Sequence, residues 1–180
     1  MEQYFKLEVA GLKRDLKICP VNEHLDIAAF IMFGDVEMTV KCAEELLKLA
    51  PEFDVILTAE AKSIPLAYEM SRQSGKLYIP VRKGKKAYMT DPVCVKVKSI
   101  TTANTQELYL DKKDLDILKG KRVLIVDDVI STGMSLKALE EFVEIAQGTI
   151  AAKAAVLAEG DAAERSDIIY LKMLPVFPKA

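Results

Sequence analysis

The sequence predicts an α/β fold in which an open, mainly parallel sheet carries helices on both faces. Short apolar runs at 54–58 and 123–126 are typical of strands buried inside parallel sheets. Segments with helical periodicity separate such runs, and this alternation favours parallel pairing. Ligands of these sheets bind beyond the carboxyl ends of the strands, so polar residues near those ends are the candidate site.

The elements follow in chain order from alternation, helical periodicity and turn residues. Phe5, Leu7 and Val9 alternate with charged residues and predict a strand, which the following Ala-Gly pair turns into a second strand near 16–19. Asp35 can cap a helix whose apolar face would contain Val36. Further strands are expected at 54–58, 77–81, 93–97, 106–110, 123–126, 151–157 and 168–170. Helices are expected at 36–49, 64–72 and 111–118 and from 136 onward.

Composition excludes several classes of protein. The chain has 180 residues, 51% hydrophobic and 29% charged, with a net charge of −2, which suits one domain over 1–180 and gives no basic excess for nucleic acid. Cys19, Cys42 and Cys94 are widely spaced and odd in number, which argues against a disulfide framework or a zinc site. The start does not read as a signal peptide, and no apolar run reaches the ~20 residues that span a bilayer. We therefore expect a cytoplasmic protein with no membrane partner.

Residues 123–135, VLIVDDVISTGMS, are the most informative segment. A buried strand is expected to end at Asp127 and Asp128, and a hydroxyl-rich turn then leads into a helix. The free N–H groups at a helix start bind anions, and the two carboxylates lie about one sugar ring away as acceptors for hydroxyl groups. The segment thus predicts a sugar-phosphate site. Its phosphate residues would be Ser131, Thr132, Gly133, Met134 and Ser135.

This segment resembles the signature of the type I phosphoribosyltransferases. The resemblance implies that Asp127 and Asp128 hold the ribose hydroxyls of 5-phosphoribosyl-1-pyrophosphate (PRPP), and that the turn holds its 5′-phosphate. Met134 stands where many relatives have a second glycine, which is acceptable if this residue has helical dihedrals. An ordinary surface crossover with common turn residues is the alternative interpretation.

Two further segments resemble the pyrophosphate site of the purine branch of this family. Residues 58–67, TAEAKSIPLA, resemble its pyrophosphate loop, which implies a non-proline cis peptide within 59–62 and contacts from Glu60, Ala61 and Lys62. The strand at 77–81 is followed by a basic run in which the family places an Arg-Lys pair against pyrophosphate. The residues of that run implied here are Arg82, Lys83 and Lys86. Residues 84–104 would form a mobile lid that excludes water.

The base would be covered by residues 22–34, which correspond to the small N-terminal hood of the family. The resemblance implies an aromatic ring stacked on the purine, with Phe30 as the candidate and Phe33 as the reserve. Val129 would contact the other face, and Glu159 stands at a strand end where relatives often have an acid near the base. Phe30 and Val129 could equally serve only in the core. His24 is the single histidine and is expected to be a surface or structural residue rather than an acid–base group.

The implied function is a purine phosphoribosyltransferase, with adenine slightly favoured, in which Asp127, Asp128, Arg82 and Lys83 carry the catalysis. Mg²⁺ would be held mainly by PRPP, with no protein ligand assigned to it. PRPP, a purine base and a second copy in a homodimer are the expected partners. Two alternatives stay open: a non-catalytic regulator that senses PRPP or nucleotides, and an enzyme acting on hypoxanthine, xanthine, guanine or a pyrimidine. The segment before the first expected helix is too short for a winged helix, which disfavours a DNA-binding regulator.

Overall fold

The structure is a computed structural model that describes residues 3–98 and 105–179. Within these ranges the chain forms 11 strands and four α-helices. The strands are β1 (Tyr4–Val9), β2 (Leu12–Pro20), β3 (Leu25–Ala28), β4 (Val55–Ala59), β5 (Leu77–Val81), β6 (Pro92–Lys98), β7 (Thr105–Asp111), β8 (Arg122–Ile130), β9 (Thr149–Glu159), β10 (Ile169–Leu174) and β11 (Val176–Pro178). The helices are α1 (Val36–Leu49), α2 (Ile64–Ser74), α3 (Lys112–Leu118) and α4 (Met134–Ile145), and a short 3₁₀ helix covers Gly160–Glu164.

The central sheet confirms the predicted α/β class. Five strands pair in the order β10-β9-β8-β4-β5, and every pair is parallel. Val123 and Ile125 point into an apolar cluster shared with α3 and α4, whereas Leu124 and Val126 point into a second cluster shared with α1 and α2. Since successive side chains of a strand face opposite sides, both faces of the sheet are covered by helices.

A second, antiparallel sheet forms at the amino-terminal end of the chain, in the order β1-β2-β3-β11. Ala10 and Gly11 make its first turn with positive φ angles of 51° and 75°. The segment 22–34 contributes β3 to this sheet, and β11 from the other end of the chain pairs with β3. Whether the segment acts as a hood over a base remains a proposal.

Two expectations about individual elements were wrong. Asp127 and Asp128 do not follow a strand: they lie within β8, which continues to Ile130 because β9 is long enough to pair with it there. In α1, Asp35 caps the helix by accepting a hydrogen bond from the Met38 N–H at 3.1 Å, as expected, but Val36 is 72% exposed. The buried face of α1 contains Met38, Thr39, Cys42, Ala43 and Leu46.

The hairpin of β6 and β7 lies against α4 and contributes Val95, Val97, Leu108 and Leu110 to the apolar cluster on that side of the sheet. It occupies part of the predicted lid, 84–104, of which 99–104 lie outside the described residues. None of the helices described is both long and apolar enough to cross a membrane.

Candidate active site

The two acids of β8 form the centre of a polar groove. Asp128 is only 3% exposed, and its Oδ2 lies 3.1 Å from the Lys62 Nζ. The Asp128 N–H donates a hydrogen bond to Asp127 Oδ1 at 2.9 Å. Burial, followed by the charge of Asp128, raises the pKa of Asp127 to about 8. Asp127 is therefore largely protonated at neutral pH in the free protein, and a cation or a hydroxyl donor placed beside it would favour ionisation.

The hydroxyl-rich turn lies directly beyond the acids, around a cavity of about 120 Å³. Gly133 precedes the first residue of α4 with a φ of 76°, a left-handed conformation that glycine adopts without strain. No side chain caps α4, so its first N–H groups stay available for an anion. Met134 is the first helical residue, so its side chain is compatible with the turn. The cavity is lined by Asp127 and by every residue from Val129 to Leu136.

A second cavity, of about 160 Å³, joins the acids to the loop that follows β4. The peptide bond between Glu60 and Ala61 is cis, as expected for this loop. Ser63 is buried and donates a hydrogen bond to the Ala59 carbonyl at 2.7 Å, while the Thr58 hydroxyl lies 2.8 Å from the Val126 carbonyl. These bonds hold the loop against β8. The cavity is lined by Ala59, Glu60, Ala61, Lys62, Ser63, Lys83, Asp127, Asp128, Val129 and Ser135.

Glu60 contacts the three residues of the basic run that are predicted to bind pyrophosphate. Its carboxylate accepts from the Arg82 Nε at 2.6 Å and from the Lys83 backbone N–H at 2.6 Å, and Lys86 Nζ lies 3.8 Å away. Burial alone would raise the pKa of Glu60, but the Lys83 N–H, the Arg82 guanidinium and Lys86 together lower it. Glu60 therefore stays ionised and holds Arg82 beside the loop.

The residues expected around the base are not equally exposed. Val129 lines both cavities, next to the acids. Glu159 ends β9 and is 9% exposed. The Phe30 ring is 5% exposed and belongs to the apolar cluster on the α1 side, whereas Phe33 is 54% exposed. His24 lies at the surface, as expected.

Sequence reasoning missed two residues beside the site. Arg82 Nη1 donates to the Tyr88 hydroxyl at 2.9 Å, and the Tyr88 ring also lies 5.8 Å from the Lys113 ammonium. The side chain of Arg165 reaches Gly133: a Cβ atom on that glycine would lie 2.8 Å from Arg165 Nη1. Tyr88 lies within the predicted lid, 84–104, but no motif marks it as a partner of Arg82. Arg165 is distant from the turn in sequence, so no sequence signal marks it either.

Among residues 3–98 and 105–179, no group of three or more His, Cys, Asp or Glu side chains is arranged to hold a metal ion. Asp127 and Asp128 still offer carboxylate oxygens, which Mg²⁺ prefers. Asp128 Oδ2 is buried and faces the Lys62 ammonium without a well-aligned hydrogen bond, so it could take a metal ion in place of that ammonium. These donors fit an ion that takes most of its ligands from a substrate.

Comparison with known proteins agrees with this geometry. The family model of the phosphoribosyl transferase domain matches residues 38–178. The adenine phosphoribosyltransferase of Kosmotoga olearia is 35% identical over 130 residues, covering 67% of this chain and 73% of that protein. The hypoxanthine/guanine phosphoribosyltransferase of Methanothermococcus okinawensis is 31% identical over 161 residues, covering 85% of this chain and 84% of that protein.

The fold is also shared with solved structures. The crystal structure of adenine phosphoribosyltransferase from Thermoanaerobacter pseudethanolicus superposes with a TM-score of 0.72 at 20% identity, covering 88% of this chain and 95% of that one. At this identity the likeness concerns the fold alone. Base preference is left open, because relatives of both the adenine and the hypoxanthine/guanine kind match the chain.

Proposed function

The chain belongs to the phosphoribosyltransferase family, a family of pentosyl-transferring enzymes, and from that premise we propose that it is a purine phosphoribosyltransferase of nucleotide salvage. It would join PRPP to a purine base and release pyrophosphate. The observation that carries the proposal is the continuity of the groove. Asp127, Val129 and Ser135 line both the cavity at the turn 131–135 and the cavity at the loop that follows β4. Along this one groove lie an anion site, two carboxylates that can accept hydrogen bonds from a sugar, and a cationic site.

Different residues would bind the three parts of PRPP. The turn 131–135 would bind the 5′-phosphate through backbone N–H groups and hydroxyls. Asp127 and Asp128 would accept hydrogen bonds from the two ribose hydroxyls and favour the positive charge that develops on the sugar. Lys62, Arg82 and Lys83 would neutralise the departing pyrophosphate.

In the proposed reaction the bond from the anomeric carbon to pyrophosphate breaks and its electron pair leaves with pyrophosphate. The base nitrogen forms the new bond and releases its proton to water. The contribution of the protein is orientation and charge stabilisation. Mg²⁺ bound with PRPP would supply positive charge to the pyrophosphate oxygens, and Asp127 and Asp128 are the residues that would hold it from the protein side.

Binding of PRPP requires exchange of ion pairs within the groove. In the free protein the Lys62 ammonium is held by Asp128, and Arg82 is held by Glu60. The phosphates of the substrate would take over these cations, while the ribose hydroxyls would occupy the carboxylates of β8. We propose that residues 84–104 close over this arrangement as a lid, since Lys86 and Tyr88 already contact the same cluster.

Adenine is the proposed base. Glu159 is a carboxylate that can accept from the exocyclic amine of adenine, whereas a 6-oxo purine presents an acceptor at that position. Val129 lies beside the acids and would pack on the purine. An aromatic ring from the hood segment 22–34, Phe30 or Phe33, would cover its other face.

A homodimer is proposed from an apolar surface on α1 and α2. Val36 and Tyr68 are large and exposed there. They line a mostly apolar cavity of about 360 Å³ between the two helices, together with Met32 and Val40. Exposed apolar surface of this kind typically marks an interface, and a second copy is the partner that the family resemblance implies.

The decisive experiment incubates the protein with PRPP and Mg²⁺ and with adenine, hypoxanthine, guanine, xanthine or uracil in separate reactions, and measures the nucleotide and pyrophosphate formed. We expect AMP from adenine at the highest kcat/KM. Asp127→Asn combined with Asp128→Asn serves as the inactive control. If PRPP binds in calorimetry but no base is consumed, the protein is a PRPP sensor, and the proposal of catalysis is wrong.

A further inference from the structure

The side chain of Arg165 lies against the turn 131–135, although Arg165 is far from that turn in sequence. Its side chain is one-third exposed and follows the 3₁₀ helix Gly160–Glu164, beyond the carboxyl end of β9. The Nη1 atom reaches Gly133, where a Cβ atom would lie only 2.8 Å from it. The absence of a side chain at position 133 therefore leaves space for the guanidinium group.

The orientation of this guanidinium is held by a neighbouring acid. Arg165 Nε and Nη2 donate to the two carboxylate oxygens of Asp167 at 2.9 and 2.8 Å, so the remaining Nη1 is the part directed at the turn. Asp167 also binds Lys153, which in turn donates to Glu140 of α4 at 2.8 Å. The network thus ties Arg165 to the same helix whose first residues form the turn.

The turn itself contains no charged side chain, because residues 131–135 are Ser, Thr, Gly, Met and Ser. A phosphate monoester carries close to two negative charges at neutral pH, and backbone N–H groups supply only partial positive charge. A planar guanidinium that is held in place is well suited to binding a phosphate. The fold places the Arg165 guanidinium at Gly133, and Lys137 lines a neighbouring cavity with Thr132 and Gly133.

We propose that Arg165 is a 5′-phosphate-binding residue of this enzyme, oriented by Asp167, and that it selects phosphorylated ribosyl ligands over unphosphorylated ones. The inference rests on the proposed function for the identity of the ligand. It extends that function to a residue outside the signature, supplied by the connection between β9 and β10.

The experiment compares wild type with Arg165→Gln and Arg165→Lys. Calorimetry measures binding of ribose 5-phosphate, AMP, adenosine and pyrophosphate, and steady-state assays give the KM for PRPP and for the base. Loss of one charge-assisted contact is expected to weaken ribose 5-phosphate and AMP about ten- to a hundredfold, and to raise the KM for PRPP similarly. Binding of adenosine and pyrophosphate and the KM for the base are expected to change less than about twofold, by the same reasoning, since Arg165 does not touch their subsites. Arg165→Lys should restore part of the loss.

Arg122→Gln is the matched control. Arg122 also forms a two-bonded pair with an aspartate, Asp54, but at the opposite end of β8 from the turn. Arg122→Gln should leave the affinities for ribose 5-phosphate, AMP, adenosine and pyrophosphate and both KM values unchanged. Asp167→Asn should reproduce a smaller part of the Arg165→Gln effect, because it releases the guanidinium without removing it.

The outcomes separate this inference from the proposed function. If wild type binds ribose 5-phosphate but forms no nucleotide, and Arg165→Gln loses that binding, the assignment of Arg165 stands and the proposed reaction is wrong. If wild type forms nucleotide and Arg165→Gln retains the wild-type KM for PRPP and affinity for AMP, the reaction stands and the role of Arg165 is refuted. Equal loss for adenosine and AMP would also refute it, since that result indicates a structural role.

Discussion

At the residue scale, the acid pair of β8 is the strongest test of the site. Replacing Asp127 and Asp128 together with asparagine should reduce nucleotide formation by several orders of magnitude. Each variant side chain loses a charge-assisted contact worth roughly 1.5–3 kcal/mol, and every ~1.4 kcal/mol corresponds to a factor of ten in rate. The fold should survive, since asparagine has nearly the same shape. Steady-state assays and circular dichroism measure the two effects, and a folded double variant with near-normal activity would refute the assignment.

The raised pKa of Asp127 predicts a specific dependence of stability on pH. The unfolded carboxyl has a pKa of about 4, and the folded one about 8, so the unfolded state loses its proton first as the pH rises. The stabilisation that Asp127 provides is complete below about pH 4, falls as pH rises from about 4 to 8, and is lost above that range. Asp127→Asn removes this contribution.

Urea unfolding of wild type and Asp127→Asn at pH 5, 6, 7 and 8 measures the effect. The stability of the variant relative to wild type should rise by up to about 1.4 kcal/mol for each pH unit, because one proton separates the two states. Two curves that stay parallel over this range would show that Asp127 ionises normally in the folded protein.

The two phenylalanines of the hood segment differ in exposure, and their alanine variants should differ accordingly. Phe30→Ala empties a core position and should lower the free energy of unfolding by about 3–5 kcal/mol. Phe33→Ala removes an exposed ring and should leave stability nearly unchanged. Loss of the stacking contact, worth about 1–3 kcal/mol, should raise the KM for the base about ten- to a hundredfold. The variant that shows this increase identifies the stacking ring. An unchanged KM for PRPP is the internal control, and a normal base KM in both variants would place the purine elsewhere.

At the element scale, β6 and residues 84–91 belong to the same predicted lid but differ in how firmly the structure holds them. Pro92–Lys98 pairs with Thr105–Asp111 along its whole length and buries Val95 and Val97 in the core. Residues 84–91 lack such a ladder. Hydrogen exchange should therefore be slow in the hairpin with or without ligand, whereas 84–91 should become protected when a PRPP analogue and Mg²⁺ are added.

Exchange measured by mass spectrometry on free and liganded protein tests this. Strand β1, Tyr4–Val9, provides a control segment, since it lies outside both the lid and the groove lining. Equal protection of 84–91 in both states would refute a role for this segment in closure.

At the scale of the whole molecule, the exposed apolar face of α1 and α2 is the feature that a monomer leaves unexplained. Tyr68→Glu combined with Val36→Glu would place two charges in the proposed interface and should convert the proposed dimer to a monomer in sedimentation equilibrium. Ile145→Glu, at an exposed apolar position on α4, is the matched control and should not change the mass. A wild-type protein that sediments as a monomer at tens of micromolar would refute the dimer.

The sequence by itself determined the fold class and located most of the candidate site. The apolar runs at β4 and β8 required burial on both faces, and only strands of a parallel sheet covered by helices provide it. The acid pair, the turn 131–135 and the loop 58–67 could be assigned from sequence because each is a contiguous segment whose chemistry follows from its own residues. These segments met in one groove, as the carboxyl ends of neighbouring parallel strands must.

Only the tertiary structure decided how those segments interact. The pairing of Lys62 with Asp128, the exposed position of Val36 and the approach of Arg165 to Gly133 all join residues that are far apart in sequence or depend on which face of a helix is buried. Local periodicity shows that a helix is amphipathic but not which residues at its margins will meet another element. Likewise, β8 continued past the acids because its partner β9 was long, a property that no residue of β8 encodes.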